Sequence, residues 1–228
     1  MATQASEPRT PLSRDRVLRA AVAIADADGL ESVTMRRIGD ALGAEAMSLY
    51  YHVANKNDLL DGIVDVLMDE LNAIVDRDDT PADDTPDGWK VAMRRRILTA
   101  RQLMLRHPWA PRLLESRTTM RPAVVLYHDR LVGLMRSGGF SYDLAHHALH
   151  ALGSRALGFS QELFDPSAGA GAESERMLVD LADQLPNLVG MLTEIAHDDP
   201  DSTLGWCDDQ AEFEFSLDLI LDGLDRLR

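Results

Sequence analysis

Two sets of residues have types and spacing suited to chemistry. The first is His146 and His150 in the run HHALH, one helical turn apart, which is the spacing of two ligands on a hydrolytic metal. A metal-dependent all-α enzyme would need more: the glutamate of an HExxH motif is missing, and no third ligand stands out. Packing or contact with a small molecule competes for the same histidines. The second set lies in TMRRIGDALGAEAMSLYYHVANKNDLL, Thr34 to Leu60. Here small residues precede a cluster of groups that can donate to phosphate oxygens: Ser48, Tyr50, His52 and Lys56. Small side chains let a helix approach the floor of a DNA groove, while hydroxyl, ring and ammonium donors hold the backbone. A helical interaction module that binds no DNA is the third reading. No nucleophile elbow, phosphate loop or Cys-His pair accompanies either set.

The elements needed to position these groups are helices. Ser13 is placed as an N-cap, with Val17, Ala21, Ile24 and Ala25 recurring at helical spacing before Gly29. Thr34 caps Met35 to Leu42, Gly43 allows a tight turn, and a third helix is expected after Ala44, through Met47, Leu49 and Tyr50 to about Val53. Ile38, Leu42 and Leu49 should knit this pair together, leaving Ala46, Met47, Ser48, Tyr50, Tyr51 and His52 outward or sideways. Asn55, with Asp58 three positions on, opens a longer helix that buries Leu59, Leu60, Ile63, Val64, Leu67 and Leu71. The proline-bearing acidic run from Asp76 to Gly88 reads as a solvated loop. Helical patterns then cover Trp89 to Arg106, Trp109 to Glu115, Pro122 to Ser137, Tyr142 to Phe164, Glu175 to Ala196 and Gln210 to Leu227. The fold class is all-α.

Composition excludes other classes. The 228 residues are 45% hydrophobic and 27% charged, enough to bury a core. One cysteine, Cys207, cannot form an internal disulfide, and no apolar run approaches the ~20 residues of a bilayer span. With no secretory signal visible, a cytoplasmic location is expected. The formal net charge is −15, yet up to Lys56 seven basic residues balance seven acidic ones. The acidity therefore lies in the remainder. Charges beyond the ~8 Å Debye length are largely screened, so an acidic body does not forbid a DNA-binding end.

These residues resemble the DNA-binding segment of the tetracycline-repressor (TetR) family of transcriptional regulators. The shared elements are Thr34, Leu42-Gly43, Ser48-Leu49-Tyr50-Tyr51-His52, Asn55-Lys56 and Leu59-Leu60. Later pieces, GWKVAMRRRILTARQLMLRHP, RSGGFSYD, LGSRALGFSQE and FEFSLDLILDGL, are similar to parts of the effector-binding body of the tetracycline-repressor subgroup. The resemblance implies a disordered arm over 1–12, a helix-turn-helix domain over 13–60, and a ligand-binding and dimerisation domain over 61–228. It implies backbone contacts from Thr34, Arg36, Ser48, Tyr50 and Lys56. Ala46, Met47, Tyr51 and His52 would approach base edges or thymine methyls. Ala46 replaces a base-reading glutamine, so the operator should differ.

The pocket departs further from that pattern. Asn72 and Leu114 stand where tetracycline repressors hold chelating histidines and drug contacts, so no metal-bound drug and no cofactor are expected. The implied site, Leu67, Leu71, Arg96, Ala100 and Leu114, suits a hydrophobic effector. Arg96 either answers an anionic group on it or is a solvated member of the run Arg94-Arg95-Arg96. A homodimer on a palindromic double-stranded operator follows from the family. Two stripes could carry it: Ala145, Leu149, Leu152, Ala156 and Phe159 on one helix, and Phe213, Leu217, Ile220, Leu224 and Leu227 on the last.

Overall fold

The computed structural model describes residues 11–78, 88–117, 121–157 and 209–228, with 184–187 and 190. The arm expected over 1–12 falls almost entirely outside these residues. So do the helix expected from Glu175 to Ala196, nearly all of it, and the end of the one expected to reach Phe164. Among the described residues all regular structure is helical: α1 Arg14–Asp28, a short 3-10 turn Leu30–Ser32, α2 Met35–Leu42, α3 Ala46–Leu49, α4 Lys56–Asp78, α5 Gly88–Arg106, α6 Ala110–Ser116, α7 Pro122–Ser137, α8 Tyr142–Leu157 and α9 Asp209–Asp225.

Local chemistry sets the first boundaries. The Ser13 side chain accepts from the Arg16 amide, and that of Thr34 accepts from the Arg37 amide, each satisfying an orphan donor at a helix start. Gly43 ends α2 in the left-handed region, φ 62° and ψ 35°, where a side chain would be strained. Gly39 sits one turn earlier with its backbone against the next helix; a Cβ there would lie 2.7 Å from the Ala44 carbonyl oxygen and 3.3 Å from the Ala46 nitrogen. The turn is tight because both glycines are present.

The chain divides into two compact units, 1–145 and 146–228. In the first, α1 packs on α2 and α4, α2 on α3, α4 on α5, α6 and α7, and α5 on α7. Val17, Leu18, Ala21, Ile24 and Ala25 fill the inner face of α1, while Ile38, Leu49 and Val53 close the helix-turn-helix core. Full burial of such a side chain contributes roughly 1.5–3 kcal/mol. Leu42, expected to join Ile38 and Leu49, is only half-buried, as is Leu60. The end of α1 is tied through Asp26 to the corner between α5 and α6. Of the loop expected over Asp76 to Gly88, residues 76–78 belong to α4 and Gly88 to α5, and the rest lies outside the described residues.

In the second unit, α9 buries Phe213, Leu217, Leu221 and Leu224 at helical spacing and exposes Phe215 and Leu219, 62% and 57% accessible. Most of the stripe read as an interface is thus core of the chain itself. The large exposed apolar pair stands two positions out of phase with it. On α8, Ala145, Ala148 and Leu152 are buried, whereas His146, His147 and His150 are exposed.

Candidate nucleic-acid interface

The α2–α3 turn presents a short, unusually apolar exposed ridge. Leu49 of α3 is fully buried against the core, and around it Met47 is 75%, Tyr50 47% and Tyr51 90% accessible. Hydrophobic side chains this bare need a reason when their neighbours are polar and the core beneath them is complete. Ala46, Ser48 and His52 are partly exposed beside them, and Thr34, Arg36 and Lys56 are exposed on the flanking helix starts.

Helix α3 is shorter than the sequence suggests. Four residues are α-helical, after which the chain tightens: the Tyr51 amide donates to the Ser48 carbonyl and the His52 amide to the Leu49 carbonyl, both three residues back. The Ser48 hydroxyl donates to the Glu45 carbonyl at 2.7 Å and the Thr34 hydroxyl oxygen serves as the cap of α2. Each of these hydroxyls therefore already has a role within the fold. Arg36 is exposed on this helix, as is neighbouring Arg37, which pairs with Asp28.

One guanidinium holds this segment in place. Arg14 Nη1 donates to the His52 carbonyl at 2.8 Å and to Asp58 Oδ2 at 3.0 Å, while Nη2 donates to Asp58 Oδ1 at 2.6 Å. Asn55 caps α4 by accepting from the Asp58 amide, and Asp58 accepts from the amide of Ala54, one residue before the cap. The Arg14 guanidinium holds the Asp58 carboxyl below the usual carboxylate range, with the Ala54 amide helping against partial desolvation. The same pairing raises Arg14 above its ordinary value. Sequence reading missed Arg14 because its partners lie 38 and 44 positions away and leave no periodic trace.

Further along α4, Asp61 pairs with Arg117 at 3.4 Å, Asp65 with Arg121, and Asp76 with Arg130 at 2.5 Å. Arg106 at the end of α5 pairs with Glu70 at 2.9 Å, so arginines from α1, the ends of α5 and α6, the start of α7 and α7 itself grip one helix. This row of carboxylates was invisible as a feature because its partners come from three separate stretches.

The residues singled out for the effector divide clearly. Leu67 and Leu71 of α4 and Arg96 and Ala100 of α5 are buried where these helices pack; Leu114 of α6 is half-buried. Arg96 is 6% accessible, so the solvated reading of it fails. His146 and His150 do stand together, ring centroids 4.7 Å apart, but among the described residues no group of three His, Cys, Asp or Glu is placed to hold a metal. Nor, among those residues, is any helix long and apolar enough to cross a membrane.

Known proteins share this arrangement. Residues 17–63 match the family model described as bacterial regulatory proteins, tetR family, and residues 80–228 match the tetracyclin repressor-like C-terminal domain. The HTH-type transcriptional repressor DrrR1 of Streptomyces coeruleorubidus is 31% identical over 228 residues, covering 96% of this chain and 80% of that protein. The class C tetracycline repressor of Escherichia coli is 28% identical, covering 95% and 92%. ActR of Streptomyces coelicolor, solved in complex with actinorhodin, superposes with a TM-score of 0.70 at 28% identity, covering 94% of this chain and 96% of that one.

Proposed function

This chain belongs to the TetR family of bacterial transcriptional regulators, and on that premise we propose that it is a repressor released from a palindromic operator by a small hydrophobic effector. The observation that carries the reading is the bare ridge of Met47, Tyr50 and Tyr51 above a fully buried Leu49. Residues 13–60 act as the reader, 1–12 as an arm, and 61–228 as the effector-binding and dimerisation body. Ala46, Met47, Tyr51 and His52 approach base edges; Thr34, Arg36, Ser48, Tyr50 and Lys56 hold phosphates. For Ser48 this requires exchanging its bond to Glu45 for one to DNA.

The effector lodges among Leu67, Leu71, Arg96, Ala100 and Leu114. It acts by preferring a conformation in which two readers are wrongly spaced for successive major grooves, and its differential affinity sets the size of the shift. No bond is made or broken, so the protein is not an enzyme, and its place of work is the cytoplasm. Two copies associate through the second unit, where the exposed Phe215 and Leu219 of α9 supply apolar contact.

The test begins with selection of bound DNA by purified protein. Tyr50→Ala with Lys56→Ala should weaken binding to every selected sequence and flatten the salt dependence in a gel-shift titration. Ala46→Gln should move preference at one base pair by roughly 1–3 kcal/mol. Unchanged affinity in the first variant and unchanged operators in the second would remove this segment from the interface.

A further inference from the structure

Among the buried polar atoms of the first unit that have no hydrogen-bond partner are Oδ1 of Asn72 on α4 and the hydroxyl of Tyr127 on α7. Both side chains belong to residues more than nine-tenths buried, 6% and 7% accessible. Buried polar groups are almost always satisfied, so each such exception calls for a cause. The amide orientation is not arbitrary. Asn72 Nδ2 donates to the Ala123 carbonyl at 3.2 Å, and a carbonyl can only accept, so the oxygen is the end left over. Ala123 and Tyr127 are four positions apart on α7, so both residues stand on one face of that helix, the face from which the Ala123 carbonyl meets Asn72 of α4. α5 completes the surroundings: it packs on both helices and brings the buried Arg96 close enough for its charge to act on the phenol. Leu71, Val75, Ile97 and Leu131 on the same three helices are buried and apolar.

We propose that Asn72 Oδ1 and the Tyr127 hydroxyl form the polar edge of the effector site. The matching ligand is a neutral, largely apolar molecule that presents a hydroxyl or N–H to Asn72 and a carbonyl oxygen to Tyr127. This rests on the reading that an effector lodges beside α4 and α5, and it names the ligand's chemistry. Asn72 Oδ1 can only accept, so it needs a donor. Burial pushes the Tyr127 phenol up to about 12, which keeps it a neutral donor at any physiological pH. The apolar neighbours Leu71, Val75, Ile97 and Leu131 make burial of a charged group costly, which favours a neutral ligand.

The experiment compares the full-length parent with Tyr127→Phe, by melting temperature and by release of labelled operator. The probes share one bicyclic frame: tetralin, 1-tetralone, 6-hydroxy-1-tetralone and the corresponding 6-carboxylate. Without probe, Tyr127→Phe should melt at or above the parent, because it removes a buried hydroxyl that lacks a partner. In the parent, the hydroxyketone should act at lower concentration than tetralin or the carboxylate. That advantage should shrink about three- to ten-fold in Tyr127→Phe, the worth of one hydrogen bond. A variant melting several degrees below the parent would mean that the hydroxyl is held by a structural water, which overturns the proposal. A hydroxyketone no better than tetralin, with both releasing operator, would overturn the polar edge and leave the effector site standing. If no probe shifts melting or release while operator binding is intact, the effector site fails as well.

Discussion

Trp109 donates from Nε1 to Oδ1 of Asp26 at 2.8 Å, joining positions 83 apart in sequence. Nδ1 of His107 lies 2.7 Å from the same oxygen, and because a carboxylate only accepts, that nitrogen carries the hydrogen. Both rings are buried, edge to face at 5.7 Å. The last turn of α1 is thereby fixed to the corner between α5 and α6. Asp26→Ala would leave two buried donors unmatched and should destabilise the protein by about 1–3 kcal/mol, while Asp26→Asn, which keeps an acceptor, should cost less. Urea titration followed by tryptophan fluorescence measures both; equal midpoints for parent and alanine variant would contradict the bond.

Gly39→Ala should cripple the reader and spare the body. Its Cβ would stand 2.7 Å from a backbone oxygen, so α3 must move away from α2. Operator affinity is expected to fall at least about ten-fold, roughly 1.4 kcal/mol, with sedimentation behaviour unchanged. Parent-like affinity would show that the turn can absorb the methyl.

Acid should act on the start of α4. The Asp58 carboxyl is held low by Arg14, so the pair's contribution is full above the unfolded carboxylate pKa of about 3.9 and is lost as pH falls through the lower folded value. Both side chains are partly solvent-exposed, which limits the size of the effect. Asp58→Asn should be less stable than the parent at pH 7 and the difference should vanish on strong acidification. Parallel stability curves from pH 7 to pH 2 would be the contrary result in thermal melts.

Association should depend on the outer face of α9. Phe215→Lys with Leu219→Lys replaces exposed apolar groups and leaves the inner row of Phe213, Leu217, Leu221 and Leu224 intact. Sedimentation should show monomers that retain helical circular dichroism and bind operator poorly. A double variant that sediments as a dimer would place the interface elsewhere.

The parts of the fold legible in the sequence are those whose causes are local. Ser13, Thr34 and Asn55 cap helices with their own side chains, and Gly29 and Gly43 stop them with their own backbones, so position alone announces them. Periodicity likewise located the inner faces of α1 and α4, although it ranked Leu42 and Leu60 too deep and passed over Leu18. The length of α3 was not legible, because tightening after Leu49 depends on how Arg14 holds the His52 carbonyl. Phase left α9 open between core and interface: a stripe of apolar residues says that one face is covered, not whether the cover is its own chain or another. At the candidate site, Asp26 with its two rings and Asn72 beside Ala123 arise from contacts 51 to 83 positions apart, which no motif encodes.

The grip on α4 has a mechanical consequence. At 23 residues the helix is about 34 Å long, and it runs unbroken from the Asn55 cap beside the reader past Asn72. A rod of that length turned by about 5° around its middle moves each end by about 1.5 Å, half the reach of a hydrogen bond. Displacements too small to disrupt the packing around Leu71 therefore emerge at Lys56, the proposed phosphate contact, as ones large enough to break such a contact. The arginines paired along the rod set where the fulcrum lies, and shifting it toward either end would trade sensitivity at one end for travel at the other.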